Sequence, residues 1–484
     1  MGAPSVSLIH DVFVAVPARC EPQLHRLGNA GGRSINHITH DSRLVRNGSM
    51  FACIRGAASD GHLFAQNAVD NGAVALLVDD ALDIDVPQLI VKSVRESLGW
   101  AASAVYGHPS RDLTILGVTG TNGKTTTTHM AMSIARSAGR HANSIGTLSG
   151  ARTTPEATEL HESLRQMVDA GVTFVAMEVS SHGLDQHRVD GIVFDASIFT
   201  NLTIDHLDYH HTMEAYFEAK ALLFQAERSR QMIVNTDDEY GRRLAAMVGD
   251  LSITYGLADA LGLTVTPNGS TFTWRGSSIE LYLGGAFNVS NALGAATAMA
   301  ALDYSAHSIA QGLTDLVSVD GRWESVPCDL GFAVIVDYAH TPDGLANVLR
   351  SARQVANGGR VIVVFGCGGD RDTTKRPIMG ALAAELSDIA ILTSDNPRGE
   401  DPAKILDDVA AGFRDITKSA HRLIEIDRRT AIYMAIEMAS ENDIVIIAGK
   451  GHERTQTIGD TVIGFDDRLV ASQALGQRAG EPMK

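Results

Sequence analysis

Residues 113–126, Leu-Thr-Ile-Leu-Gly-Val-Thr-Gly-Thr-Asn-Gly-Lys-Thr-Thr, decide the fold. The apolar run at 113–118 reads as a strand buried on both faces. Thr119, Gly120, Thr121, Asn122, Gly123, Lys124, Thr125 and Thr126 follow it, and a helical pattern then continues to about residue 139. A strand, a glycine-rich loop and a helix N-terminus in that order present backbone N–H groups to phosphate oxygens, while Lys124 adds a point charge and Thr125 a metal-ligand hydroxyl. The spacing departs from the common G-x-x-x-x-G-K-[ST] pattern, whose first glycine falls on Val118. The alternative is a glycine-rich turn capping an ordinary helix.

Outward from this loop, further apolar runs at 174–179, 196–202 and 232–235 alternate with helical patterns, which predicts a mostly parallel central sheet covered on both faces. Residues 35–78 read as short strands and turns followed by a helix and the apolar run 74–78, a small α/β unit, with a break at 108–110. From about residue 326 the pattern restarts: runs at 332–338, 361–367, 389–394 and 444–449 predict a Rossmann-like, doubly wound third domain. The expected fold class is α/β in three domains, 1–109, 110–325 and 326–484. Polar and glycine-rich segments follow the strands of the third domain, at the edge where open α/β sheets bind ligands.

Composition sets bounds on partners. The 484 residues are 44% hydrophobic and 20% charged, an ordinary globular mixture. A formal net charge of −17 argues against a nucleic-acid surface, because phosphate neutralisation needs clustered Lys and Arg. There is no apolar stretch of membrane-spanning length, and the start of the chain has Asp11 inside its apolar run, so neither a membrane span nor a signal peptide is expected. Cys20, Cys53, Cys328 and Cys367 are scattered singly, which fits a reducing cytoplasm.

Three residues beyond the loop invite chemistry. Glu178 ends an apolar strand, where a buried carboxylate needs a cation; it is a magnesium ligand or an ion-paired or capping acid. His206 lies in a strand-end segment dense in metal-capable side chains, either as a ligand or as surface loop. Lys220, in the helical stretch 213–225, shares a side with Phe217 and Phe224; it either snorkels or is a buried amine of lowered pKa.

The motifs TGTNGKTT, EVSSHGLDQHR, FTNLTIDHLDYHHTMEAYFEAKALLF, NVSNALGAA, GRWE, DYAHTPDGL, FGCGGDRD, DNPRGEDP and GKGHE, in this order, closely resemble the Mur ligase family. The resemblance runs from about residue 40 to 453, and the best match is the member that adds the third amino acid. It implies an ATP-dependent amide ligase of peptidoglycan precursor synthesis that joins meso-2,6-diaminopimelate to the D-glutamate of UDP-N-acetylmuramoyl-L-alanyl-D-glutamate through an acyl phosphate. The alternatives are the same ligation with L-lysine or another amino acid, or a folylpolyglutamate-synthetase-like ligase.

By resemblance, Gly120 to Thr126, Asn288, Asn291, Arg322, Asp337 and His340 contact ATP. Thr125, Glu178, His206 and a carbamylated Lys220 form a magnesium centre, expected to hold two Mg²⁺, with Lys124, Glu178, His206 and Lys220 catalytic. Ser42 and the loop residues Ala57, Ala58 and Ser59 hold the uridine and diphosphate, and Thr153, Thr154, Ser180, Gln186 and Arg188 the sugar-peptide. Arg371, Asp395, Asn396, Pro397, Arg398, Gly449 and Glu453 bind the amino acid. The planar fork of Arg398 suits the extra carboxylate of diaminopimelate; the alternative is that it pairs with Glu400 or Asp401. A monomer is expected.

Overall fold

The computed structural model describes residues 8–26, 34–56, 59–414 and 420–480. Ala57 and Ala58, assigned above to the diphosphate loop, lie outside the described residues. Five strands, β1 (Gln23–His25), β2 (His37–Thr39), β3 (Ser49–Ala52), β4 (Ala73–Val78) and β5 (Gln88–Ile90), form the first sheet in the order β1-β5-β4-β3-β2. All its pairs are parallel except β1 with β5.

The central sheet has six strands, all paired in parallel: β6 (Thr114–Thr119), β7 (Ala142–Ile145), β8 (Phe174–Glu178), β9 (Phe194–Phe199), β10 (Ser229–Asn235) and β11 (Ser252–Tyr255). Their order, β11-β10-β9-β6-β8-β7, puts β6 between β8 and β9, so their C-terminal ends open side by side. Alternate residues feed two cores. Leu116, Val118, Ala176, Ile198 and Ile233 pack on one side, and Ile115, Val175, Met177, Phe199 and Val234 on the other. A strand buried on both faces reads as an apolar run, and residues 115–118 do, after the partly buried Thr114.

An antiparallel three-stranded sheet follows, β12 (Leu261–Thr266), β13 (Gly269–Trp274) and β14 (Ser277–Leu281), which the sequence reading did not anticipate. The last large sheet comprises β15 (Glu324–Val326), β16 (Ala333–Asp337), β17 (Val361–Phe365), β18 (Ile389–Leu392), β19 (His421–Ile424) and β20 (Ile444–Ala448), in the order β15-β16-β20-β17-β18-β19. Only the edge strand β15 is antiparallel. Glu324 therefore already belongs to this sheet, ahead of the boundary expected at 326. A hairpin, β21 (Thr455–Ile458) and β22 (Thr461–Gly464), follows the sheet. Among the described residues no helix is long and apolar enough to cross a membrane.

Candidate functional site

The loop after β6 is built around two glycines. Gly120 has φ +150 and a Cβ there would strike Thr200 Oγ1; Gly123 has φ +86 and a Cβ there would strike Asn291 Oδ1. The helix Lys124–Ser137 starts behind Gly123 with no side-chain cap, leaving its first N–H groups open to an anion. Lys124 Nζ folds back to donate to Gly120 O (2.9 Å) and Thr121 O (2.8 Å). Burial lowers the pKa of this half-buried amine, with the Arg322 charge acting the same way and Glu178 and Asp205 opposing.

Glu178, at the end of β8, is 1% exposed. Its carboxylate accepts from Thr125 Oγ1 (3.0 Å), Thr147 N (2.8 Å) and Thr147 Oγ1 (3.2 Å), all neutral donors. A fully buried carboxylate beside a hydroxyl, facing a cavity, is a hard-oxygen donor set of the kind Mg²⁺ takes. His206 follows β9 at φ +54, with its ring edge-on to His182 at 4.8 Å and Nε2 3.5 Å from Asp205 Oδ2. Burial pushes its pKa down to about 4.

Lys220 does not snorkel. It is 1% exposed, its Nζ donates to Gly120 O (2.9 Å), and it stands 4.7 Å over the Tyr216 ring. The two lysines share one carbonyl oxygen. Burial first, and the Lys124 charge next, hold the Lys220 pKa well below the usual lysine range. The helix carrying Lys220 spans Met213–Ala221 and tightens into a 3₁₀ turn at Leu222–Phe224, short of the expected 225.

A cavity of about 310 Å³ unites Thr121 to Thr126, Glu178 and His206 with Asn291, Arg322, Asp337 and His340, so central and third sheets face one crevice. Gly120, Asn288 and Lys220 lie behind its wall; Asn288 Nδ2 donates to Gly284 O (2.8 Å). Arg322 Nη2 reaches across to Thr125 Oγ1 (3.2 Å). Asp337 accepts from Trp323 N (2.7 Å) and Ala339 N (2.8 Å), and burial raises its pKa.

Ser42 and Ser59 line a separate cavity in the first sheet, with His37, Arg95 and Arg152. Thr153 instead lines the phosphate-loop cavity. Thr154, Ser180, Gln186 and Arg188 form one bonded cluster below the end of β8. Thr154 Oγ1 donates to Glu178 O (3.0 Å), Ser180 N donates to Thr154 Oγ1 (2.9 Å), and Arg188 donates to Thr154 O (2.9 Å) and Gln186 Oε1 (2.7 Å).

In the third sheet, Asp395, Asn396, Pro397 and Arg398 follow β18, and Gly449 and Glu453 follow β20. Gly449 has φ +111, and a Cβ there would meet Asp395 Oδ2 at 2.7 Å. Asn396 Nδ2 donates to Glu453 Oε2 (2.8 Å) and Asp395 Oδ1 (2.9 Å). Arg398 does not pair with Glu400 or Asp401. Glu400 is taken by the buried Arg376 (2.8 and 2.9 Å), Asp401 caps the next helix, and Arg398 Nη1 donates to Gly369 O (2.7 Å). Arg371 is exposed beside this turn.

Sequence reasoning missed several residues of the site. Asp343 accepts from Asn122 Nδ2 (2.7 Å) and Thr203 Oγ1 (3.0 Å), and Thr147 and Tyr216 bond Glu178 and Thr121. Only Asp343 carried a local signal, the helix start Thr341-Pro342-Asp343.

Fold and crevice define a P-loop enzyme in which two sheets meet over a nucleotide-sized site. Residues 34–106 match the family description "Mur ligase family, catalytic domain", 118–299 "Mur ligase middle domain" and 321–451 "Mur ligase, glutamate ligase domain". The UDP-N-acetylmuramoyl-L-alanyl-D-glutamate--2,6-diaminopimelate ligase of Geobacillus thermodenitrificans is 45% identical over 481 residues, covering 94% of this chain and 97% of that protein. The protein of the same name in Bacillus cereus is 44% identical over 502 residues, covering 98% of each. A solved structure of a ligase of that name matches with a TM-score of 0.68 and 33% identity over 93% of this chain and 96% of the other. The chain belongs to the Mur ligase family.

Proposed function

We propose that this chain is an ATP-dependent ligase that adds meso-2,6-diaminopimelate to the D-glutamate of UDP-N-acetylmuramoyl-L-alanyl-D-glutamate, as a monomer in the cytoplasm. The observation that carries this reading is the 45% identity, over nearly the whole of both chains, to a ligase named for that reaction. The γ-carboxylate oxygen of the glutamate attacks the γ-phosphorus of ATP, the bond to the β,γ-bridging oxygen breaks, and ADP leaves. The amine of diaminopimelate then attacks the acyl carbon and inorganic phosphate departs.

The first step brings two anions together, so the chain must supply positive charge. The backbone from Gly120 to Thr126 and the open N-terminus of Lys124–Ser137 hold the phosphates, and the Lys124 ammonium and the Arg322 guanidinium stabilise the transferring group. Asn291, Asp337 and His340 complete the nucleotide contacts from the crevice wall, with Asn288 fixing the wall from behind. Thr125, Glu178, His206 and a Lys220 carbamate would hold Mg²⁺, which when bound offsets the charge that gathers between the two reactants. A buried neutral amine is the form that adds to carbon dioxide, the new N–C bond forming as the amine proton leaves.

Ser42 and Ser59, with Ala57 and Ala58, hold the UDP end, and Thr153, Thr154, Ser180, Gln186 and Arg188 the sugar-peptide. Arg371, Asp395, Asn396, Pro397, Arg398, Gly449 and Glu453 hold the amino acid. Arg398, free of any carboxylate partner among the described residues, takes the second carboxylate of diaminopimelate, a group lysine lacks. Release of ADP that requires both the UDP-dipeptide and diaminopimelate tests the reading. ADP release with either one omitted, or equal kcat/KM for diaminopimelate and L-lysine, would overturn it.

A further inference from the structure

Arg398 sits at φ +52, the left-handed region that a bulky side chain rarely adopts. Two backbone bonds hold it there: Arg398 N donates to Thr457 O (3.1 Å), and Gly459 N donates to Arg398 O (2.7 Å). Both partners belong to the hairpin β21–β22 and its Gly459-Asp460 turn. The same hairpin grips the two residues ahead of Pro397. Gln456 Nε2 donates to Asp395 O (2.7 Å), and Thr457 N donates to Asn396 Oδ1 (2.9 Å). Gln456 is 4% exposed, while every residue of β22 is exposed. The hairpin thus has one buried polar side chain, and that side chain is spent on the turn before Arg398.

We infer that Gln456 is a specificity-positioning residue: it holds the hairpin against the turn 395–398 and so fixes where the Arg398 guanidinium meets the second carboxylate of the incoming amino acid. The inference rests on the reading of Arg398 given above. Without the Gln456 amide, the carbonyl of Asp395 is left buried without its donor, and such a group drives local rearrangement to recover one. The left-handed backbone at Arg398 then loses its support, and the guanidinium shifts. A fork that pairs with a carboxylate tolerates little displacement, because both of its bonds depend on one geometry. The loss therefore falls on diaminopimelate and spares lysine, which offers Arg398 nothing to hold.

The test compares kcat/KM for meso-diaminopimelate and L-lysine in the parent, Gln456→Leu, Arg398→Ala and the double variant. Gln456→Leu should lose at least tenfold of the discrimination, through KM for diaminopimelate, with KM for ATP and for the UDP-dipeptide within twofold of the parent. The double variant should discriminate no worse than Arg398→Ala alone, since Gln456 acts through that residue. A general packing role would instead lower kcat/KM for both amino acids equally and add to the Arg398→Ala loss, and either result overturns the inference. If Gln456→Leu keeps the parent's discrimination while Arg398→Ala loses it, the positioning role falls and the reading of Arg398 stands. If Arg398→Ala also keeps it, both fall. Should Gln456→Leu fail to fold, Gln456→Glu keeps the shape, exchanges donor for acceptor, and is read by the same outcomes.

Discussion

Lys124 and Lys220 donate to the same oxygen, Gly120 O, from the loop side and from the core side, yet Lys124 is only partly buried and Lys220 is 1% exposed. Lys124 borders the cavity and can swing onto phosphate. Removing one such charge from a phosphoryl-transfer site costs about 3 to 4 kcal/mol, so Lys124→Ala should slow ADP release roughly a hundred- to thousandfold with all substrates saturating. A rate within fivefold of the parent refutes the assignment. A second residue-scale prediction concerns His161, which is fully buried and bonds Asp190 O (3.0 Å). Burial pushes its pKa down to about 4, from an ordinary imidazole value of about 6.5 in the unfolded chain. Between those values the unfolded chain binds a proton that the folded chain refuses, so this group stabilises the fold above about pH 6.5 and the contribution is lost as pH falls toward 4. The loss between pH 7 and 5 is about 2 kcal/mol. Urea unfolding at the two pH values should show a smaller difference for His161→Gln than for the parent, and an equal difference refutes the account.

The helix Met213–Ala221 works through its four-residue repeat, which puts Tyr216 and Lys220 on one face. The Tyr216 hydroxyl meets Thr121 Oγ1 (3.2 Å) while its ring lies under Lys220 Nζ, so one helix aligns the amine with the phosphate loop. Lys220→Ala should lose most activity with its thermal unfolding little changed, and short-chain carboxylates should restore part of it by standing in for the carbamate. Full activity, or inactivity through unfolding, refutes the carbamate. Strands of the central and third sheets were legible where burial on both faces forces an apolar run, as in β6, β8 and β17. Edge strands were not. Strands β11, β15 and β19 have one neighbour each and carry mixed text such as His421-Arg422-Leu423-Ile424, because solvent takes one side of each. The sheet β12–β14 did carry a signal, alternation of exposed and buried residues broken at Arg275-Gly276, both at positive φ. In the site, glycine and charge motifs were readable because they sit on strand ends. Gln456 and Thr147 were not, since their partners lie far away in sequence and only folding brings them together.

At the scale of the whole molecule, the nucleotide crevice exists only because the third sheet is docked on the central one, and a few polar contacts mark the docking. Arg322 reaches Thr125 from one side. On the other, Asp343, in the first turn of the helix Pro342–Val355, accepts from Asn122 in the phosphate loop, from Thr203 beyond β9 and from its own Asn347 (2.9 Å). Thr203 N in turn donates to Thr121 Oγ1 (3.0 Å), so one carboxylate gathers the two segments that follow β6 and β9 at the crevice. Closing two domains over a reactive acyl phosphate excludes the water that would hydrolyse it. Asp343→Ala leaves the donors of Asn122 and Thr203 without their acceptor, and two such bonds at about 0.5 to 1.5 kcal/mol each amount to roughly 1 to 3 kcal/mol. The expected result is a roughly five- to hundredfold fall in kcat/KM for ATP, together with phosphate released in excess of ligated product as water reaches the intermediate. Asp343→Asn, which keeps one acceptor oxygen, should fall between. Measuring phosphate and product in the same reaction decides the matter: a one-to-one ratio with unchanged kcat/KM in Asp343→Ala would mean that the third domain is held in place without this contact.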